Sequence, residues 1–456
     1  MDCTFIIFGA TGDLASKKIF PAIYYLKKKG QIRNFSIVAI GRRDLDIKSV
    51  LEKSKKYIKN IDTKIFSQIV SKSHYFQLDF DDKVKYNELG KLIEKVENKN
   101  KSTNRLFYLA TLPNFFEKIS ENLAKCGLVK NKGWSRIVFE KPFGENLQSA
   151  RRINKTLKKI FKEDQIYRID HYLGKELVQN ILFLRFTNSM FESILNKEYV
   201  DHVQIILSEK IGIKGREGYY DQYGALKDVV QNHMFQILSL ISMEAPKKMV
   251  DEKIRDEKVK VLKKARIEDV VLGQYKGYLN EKDVRKNSRT ETFAALEMSI
   301  VNSRWRGVPF YLFTGKAMKK SIATVHIQFK KPKCLMGVCN YLPNYLSIQL
   351  APEEGFYMQL NAKAPGVSTI VPVKMEYCHN CTFGPNTPRA YENLLVNILE
   401  GDKTVFVRTD EIEEAWDLID KIKKNKLKVF SYKKGSYPLS ADSLIKSRGS
   451  WHLKEK

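Results

Sequence analysis

The stretch Phe5-Ile6-Ile7-Phe8-Gly9-Ala10-Thr11-Gly12-Asp13-Leu14 decides the fold of this chain. A short apolar run stops at a glycine, and an amphipathic stretch, Leu14–Lys29, begins at once. Glycine lets the backbone turn sharply, and a helix N-terminus offers free amides to an anion. A plain turn before a surface helix would look the same, so the surroundings have to decide. Working outward, strand-like runs recur at Phe35–Ile40, Tyr75–Leu78, Leu106–Ala110, Ile137–Phe139 and Ile166–Ile169. Helical patterns lie between them at Val84–Val96, Phe115–Leu123 and Leu147–Phe161. Such alternation predicts a parallel, doubly wound sheet.

After residue 170 the pattern changes. A helix-like segment covers Tyr223–Met243, and β-rich alternation runs from Thr292 to Val371. Turn signals at Arg306-Gly307-Val308-Pro309 and Ala364-Pro365-Gly366 punctuate it, and a helical tail follows from Ala390. The fold class is therefore α/β plus α+β. A Rossmann-like domain spans 1–168, and a larger domain on a mostly antiparallel sheet spans 169–456. A chain of 456 residues is long enough for two cores.

Composition narrows the function. Hydrophobic content of 43% and aromatic content of 11% describe a globular protein. No apolar run approaches the ~20 residues of a membrane span. The opening Met1-Asp2-Cys3-Thr4 has no basic leader, which reads as cytoplasmic. Six cysteines are too few for a disulfide scaffold. Cys378-His379-Asn380-Cys381, with Cys334 and Cys339 upstream, reads as a zinc site, a redox pair or incidental small residues; paired CxxC motifs at zinc-ribbon spacing are absent. The formal charge of +28 is spread along the chain rather than gathered into an arm. That argues against nucleic-acid binding and for a diffuse field that attracts small anions.

Residues 168–176 read Arg168-Ile169-Asp170-His171-Tyr172-Leu173-Gly174-Lys175-Glu176. His171, Tyr172 and Lys175 are donors suited to a dianionic phosphate, worth about 1.5–3 kcal/mol each. Asp170 would repel that phosphate, so orienting a histidine is its natural work, and Gly174 lets the backbone turn among them. The second strand-like run ends in Arg42-Arg43, where an NAD binder usually carries an acid for the ribose 2′-hydroxyl. Two guanidiniums there favour a 2′-phosphate and hence NADP, unless they are simply a solvated pair.

RIDHYLGKE, GATGDLA at residues 9–15, Glu140-Lys141-Pro142-Phe143-Gly144 and Asp228-Val229-Val230-Gln231-Asn232-His233 together resemble the glucose-6-phosphate dehydrogenase family. The resemblance runs from Phe8 to Phe383-Gly384-Pro385-Asn386 and is densest over 133–275. It implies oxidation of β-D-glucose 6-phosphate at C1 by NADP⁺, the entry to the oxidative pentose phosphate pathway. It implies cofactor contacts at Gly9, Ala10, Thr11, Gly12, Asp13, Leu14, Arg42 and Tyr108, with Lys141 touching cofactor and substrate. It also implies a homodimer or homotetramer formed through the second domain's sheet.

Oxidising a hemiacetal needs a base for the C1 hydroxyl, and histidine titrates near working pH. Of seven histidines, placement leaves His171 and His233. The family pattern assigns His233 the base and Asp170 its orienting carboxylate. Asp228 precedes His233 by five residues, a rise of roughly 7.5 Å on an α-helix, about the reach of a hexose. Glu209 matches a second sugar-binding carboxylate, and Lys316 a lysine that reaches the substrate.

Some positions depart from the family. The next basic residue is ambiguous between Lys319 and Lys320, and Ala351 replaces a glutamine. An arginine near Gln349 and a basic residue at Ile322 are missing, so no structural NADP is expected, and no metal is. Two other readings remain: an NAD(P) oxidoreductase for another sugar, which leaves His171, Tyr172 and Lys175 without a purpose, and a catalytically silent relative, which would have lost His233, Asp170 or Lys175.

Overall fold

The computed structural model describes residues 1–334, 341–367, 369–384, 388–423 and 427–453. Cys339, Pro385 and Asn386 lie outside the described residues. The chain divides into two compact units, one of Met1–Lys175, Val250–Glu252 and Pro388–Glu413, the other of Glu176–Met249, Lys253–Thr387 and Glu414–Lys456.

The first unit is built on six parallel strands: β1 (Cys3–Phe8), β2 (Phe35–Gly41), β3 (Ser73–Gln77), β4 (Arg105–Leu109), β5 (Ser135–Phe139) and β6 (Ile166–Arg168). Their order is β3-β2-β1-β4-β5-β6. Every residue of β1, β2 and β4 is buried, as expected of parallel strands covered on both faces. Asp82 caps the helix Lys83–Asn100, and Asn146 with Ser149 forms a capping box on Leu147–Ile160. Strand order reverses between β1 and β4, and ligands of open α/β sheets bind in the crevice beyond such a reversal. Gly9 follows β1 there with φ +76°, and a Cβ on it would stand 2.4 Å from the Ala110 carbonyl oxygen. Glycine is therefore required on two counts, its φ and its close approach to β4. The helix that follows opens with one wide π turn, Ala15–Ile19, and continues as the α-helix Phe20–Lys28.

Among the described residues the second unit carries nine strands: β7 (Val200–Ser208), β8 (Ala265–Tyr275), β9 (Phe293–Ile300), β10 (Phe310–Gly315), β11 (Ile322–Phe329), β12 (Tyr345–Ala351), β13 (Gly355–Lys363), β14 (Ile370–Cys378) and β15 (Val429–Tyr432). They form one sheet in the order β14-β13-β12-β11-β7-β10-β9-β8-β15. Pairing is antiparallel except for β7 with β10 and β8 with β15. Tyr220, Phe293, Phe313, Met318, Tyr432 and Trp451 pack into one buried cluster of this unit. The segment expected as a single helix over Tyr223–Met243 is a relay of three pieces: Glu217–Ala225, a π-helix over Leu226–Met234, and Phe235–Ser242.

Candidate active site

In the first unit, the turn after β1 has the chemistry of an anion cradle. Ala10 and Gly12 spend their amides on Ile40 and Gly9 carbonyls. The N–H groups of Thr11, Asp13 and Leu14 have no acceptor among the described residues. The Asp13 carboxylate is paired with Lys17 at 2.6 Å. The Thr111 hydroxyl oxygen, just past β4, is buried and without a partner. Its methyl lies 3.2 Å from where a Cβ on Gly9 would be, so this orphaned hydroxyl belongs to the same crevice. The strand-like run read from the sequence stops at Ala110, so Thr111 was missed as a site residue.

Arg42 and Arg43 follow β2 with both side chains exposed and without hydrogen bond or ion pair among the described residues. Their main chain is held: Gln77 Nε2 donates to the Arg42 carbonyl at 3.1 Å and the Tyr75 hydroxyl to the Arg43 carbonyl at 2.5 Å. Free amides, an orphaned hydroxyl and two unpaired guanidiniums on a fixed backbone fit a dinucleotide carrying an extra phosphate.

Tyr108, expected as a cofactor contact, has its phenol committed within the fold. It is buried in β4, and its phenol donates to Glu140 Oε1 at 2.6 Å; Tyr391 donates to the same oxygen at 3.1 Å. Burial pushes the Glu140 carboxyl up, while the two phenols and Lys141 pull the other way. Tyr108 thus supports the exit of β5 from behind, directly before Lys141 and the cis peptide bond Lys141–Pro142. The adjoining Phe143 packs on Phe116 and Phe139 and lies under the Arg168 guanidinium at 5.0 Å.

Arg168 ends β6 and is pinned by Glu163 at 2.6 Å. Ile169 bonds to the Phe139 carbonyl and bridges Phe406, which fixes the entry to the motif on both sides. Asp170 is 1% exposed, and its Oδ1 accepts the Tyr172 N–H at 3.0 Å, closing a tight side-chain turn. Leu173 and Lys175 continue as hydrogen-bonded turns. Lys175 Nζ stands 4.3 Å from the Tyr172 ring centre, and the His171 and Tyr172 rings are 5.2 Å apart. His171, Tyr172 and Lys175 are therefore brought together as expected.

Gly174 is needed for a different reason from the one expected. Its φ is ordinary, but a Cβ would lie 2.7 Å from the Ala390 carbonyl and 2.8 Å from Leu394 Cγ. The motif lies directly against the helix Ala390–Glu400, and Asn393 donates to the Gly174 carbonyl at 3.2 Å.

In the second unit the parallel pairing of β7 with β10 sets Ser208 opposite Gly315. The next residues on each strand, Glu209 and Lys316, form an ion pair of 2.5 Å. The sequence assigned each to the substrate separately. They stand as a coupled pair, because their strands end in register. Ser208 Oγ donates to the Lys320 carbonyl at 2.6 Å, so of the two ambiguous lysines Lys320 is tied to the residue before Glu209.

Asp228 and His233 lie on the π-helix, 3% and 2% exposed. This corrects the α-helical estimate of their separation. On an α-helix residues five apart are displaced by about 140° around the axis, whereas i→i+5 bonding returns them to one face a single turn apart. The π-helix starts two residues after Gly224, whose φ of +63° breaks the preceding helix. A Cβ there would meet Glu291 Oε1 at 2.5 Å, and that oxygen accepts the Leu226 N–H at 3.1 Å. Tyr219 OH lies 3.5 Å and Arg216 3.7 Å from Asp228 Oδ1. Burial, then the Asp228 charge, pushes the Tyr219 phenol well up, so it acts as a neutral donor. Arg216, Tyr219, Gly224 and Glu291 were all missed. Glu291 has no local signal, being 65 residues from Leu226.

Residues 6–180 match the family model "Glucose-6-phosphate dehydrogenase, NAD binding domain", and 182–452 match "Glucose-6-phosphate dehydrogenase, C-terminal domain". The chain belongs to the glucose-6-phosphate dehydrogenase family. A Bacillus subtilis (strain 168) relative named glucose-6-phosphate 1-dehydrogenase is 41% identical over 97% of this chain and 96% of its own length. The Arabidopsis thaliana glucose-6-phosphate 1-dehydrogenase 6, cytoplasmic, is 39% identical over 97% and 91%. A solved glucose-6-phosphate dehydrogenase in complex with its substrate glucose-6-phosphate is 34% identical, covers 99% of both chains and superposes with a TM-score of 0.92. The parallel sheet and the mostly antiparallel sheet are those expected of this family. Among the described residues no helix is long and apolar enough to cross a membrane.

The helix bearing Tyr219 hangs on Asp221, which is 3% exposed and accepts from Arg285 Nε at 2.6 Å, Tyr278 OH at 3.0 Å and Ser288 Oγ. Burial pushes its carboxyl up, and the Ser288, Arg285 and Tyr278 donors more than reverse this, leaving it below the ordinary 3.8. A depressed folded value contributes stability above the unfolded value, lost as pH falls through the folded one. Asp221→Asn should cost about 1–3 kcal/mol at pH 7, from the weakened charged hydrogen bonds. In urea unfolding, the gap to wild type should close as pH drops below 3.8. A gap unchanged down to acid pH would contradict the assignment.

Proposed function

We propose that this chain oxidises β-D-glucose 6-phosphate at C1 with NADP⁺, giving 6-phosphoglucono-δ-lactone and NADPH, the first step of the oxidative pentose phosphate pathway. The observation that carries the reading is the full-length likeness to the dehydrogenase solved with glucose 6-phosphate, and the presence in the sequence of every residue of the phosphate and base motifs supports it. His171, Tyr172 and Lys175 receive the phosphate, each as a donor to an anion. Asp228, Glu209 and Lys316 take sugar hydroxyls, the last two as one ion pair that both donates and accepts.

His233 removes the C1 hydroxyl proton as the C1 hydride departs. Asp170 is assigned the orienting carboxylate of that histidine on the family's pattern, fixing its tautomer and stabilising the imidazolium. A bound nicotinamide supplies the hydride acceptor. Gly9, Ala10, Thr11, Gly12, Asp13 and Leu14 form its pyrophosphate turn, Lys141 stands at the exit of β5, and Arg42, helped by Arg43, takes the 2′-phosphate.

We place the protein in the cytoplasm, in keeping with the Arabidopsis relative's name. We also assign it a homodimer or homotetramer formed through the second unit's sheet, where β14 leaves Val373 and Met375 exposed. Nucleic acid and membrane have no part in this reading.

Absorbance at 340 nm should rise quickly only when NADP⁺ and glucose 6-phosphate are both present, and slowly or not at all with unphosphorylated glucose. His233→Asn should lower kcat at least ~10²-fold with modest change in KM, the usual worth of a general base. A near-normal kcat would remove His233 from the mechanism. Lys175→Ala should weaken glucose 6-phosphate far more than NADP⁺; equal losses would remove Lys175 from the phosphate clamp.

A further inference from the structure

We propose that Cys378 and Cys381 form a reversible thiol–disulfide site through which thiol reductants modify the end of β14. The two sulfurs are bonded, with Cα atoms 5.2 Å apart. That removes the zinc reading for the pair in this state and leaves the redox one. Only two residues separate the cysteines, so the bond excludes little unfolded-chain entropy and ties one turn to itself. A bridge of that kind is a poor staple, and its use lies in its chemistry. Disulfides that occur in a reducing cytosol are typically catalytic or redox-sensing.

The two cysteines differ in exposure. Cys381 is exposed and Cys378 half-buried. The Cys381 N–H donates to Cys378 Sγ at 3.1 Å, a bond that favours negative charge on that sulfur. An incoming thiolate therefore attacks Cys381 Sγ; the Cys378–Cys381 bond breaks, a mixed disulfide forms on Cys381, and Cys378 leaves as the thiolate. The second thiol of a dithiol reductant then attacks the mixed disulfide. It releases Cys381 as a thiol and the reductant as its disulfide, two electrons having passed to the pair. The buried Cys3 is the contrast: burial pushes its thiol well up and shields it.

The bond closes the first turn of the short helix His379–Phe383, whose residues serve the surrounding structure. His379 is buried, its Nδ1 3.1 Å from the Tyr377 hydroxyl and its Nε2 without a partner among the described residues. Phe383 lines an apolar pocket with Phe183, Leu184, Ile348, Phe356 and Tyr377. Reduction frees the sulfurs to separate and loosens the turn that positions Phe383 over that pocket.

The test is a redox titration of the folded, full-length protein. Samples are treated with dithiothreitol, or with a reduced and oxidised glutathione couple, then acid-quenched and alkylated. Peptide mapping scores residues 378 and 381 apart from the other cysteines. The expected result is two alkyl groups on the pair after dithiothreitol with circular dichroism unchanged, closure by oxidised glutathione, and an unlabelled Cys3. In Cys378→Ser, Cys381 should take a glutathione adduct while the fold is kept. A pair that opens only in urea would overturn the proposal, as would thiols that oxidised glutathione cannot join.

Discussion

A carboxylate oxygen stands where the side chain of residue 224 would be. Glu291 fills the space beside Gly224, accepts the Leu226 N–H at 3.1 Å, and so starts a helix wide enough for i→i+5 bonding. Everything that makes Asp228 and His233 a pair follows from that start. A five-residue spacing is awkward on an α-helix and natural on a π-helix. At φ +63° and ψ −178° Gly224 occupies a region open essentially to glycine alone, and any other residue there would cost about 1–3 kcal/mol before counting the clash with Glu291. Wide turns of this sort cluster at functional sites because they re-aim side chains at the cost of regular hydrogen bonding.

Strand register does the same work for Glu209 and Lys316. Neither residue has a local reason to meet the other, 107 positions apart. The parallel pairing of β7 and β10 inside a mostly antiparallel sheet ends both strands together and places the two charges side by side. In the first unit, Glu140 plays the supporting part. It gathers Tyr108 from β4 and Tyr391 from the helix Ala390–Glu400, and so fixes the exit of β5 before Lys141. The same helix receives Gly174 of the phosphate motif. A C-terminal segment thus completes the N-terminal unit, and no count of periodicity in the first 170 residues could have shown it.

What was legible in the sequence was whatever depends on neighbours along the chain. Gly9 at the end of an apolar run, Arg42 after the second run and most of the nine residues from Arg168 each carry their meaning locally: Gly9 turns the chain after β1, Arg42 lies exposed after β2, and His171, Tyr172 and Lys175 sit together. Gly174 was recognised but for the wrong reason, because the Ala390 carbonyl it accommodates lies far along the chain. Tyr108 was assigned through the resemblance alone, while the burial that turns its phenol to Glu140 depends on the third dimension. The Asp228 and His233 spacing was measured on the commoner helix, since nothing local announces Glu291. Cys378 and Cys381 were seen as a motif with several chemistries, and only the bond between them chose one.

The most direct measurement is the steady-state kinetics of Gly224→Ala beside its folding, followed by circular dichroism and urea unfolding. A Cβ at that position would push Glu291 from the Leu226 amide and return the turn toward an α-helix, swinging His233 away from Asp228. The expected outcome is a folded but destabilised protein whose kcat with glucose 6-phosphate and NADP⁺ falls by about 10²-fold, the loss that follows from mispositioning His233 as the proposed general base. A folded variant with kcat close to wild type would contradict the dependence of the site on this one contact.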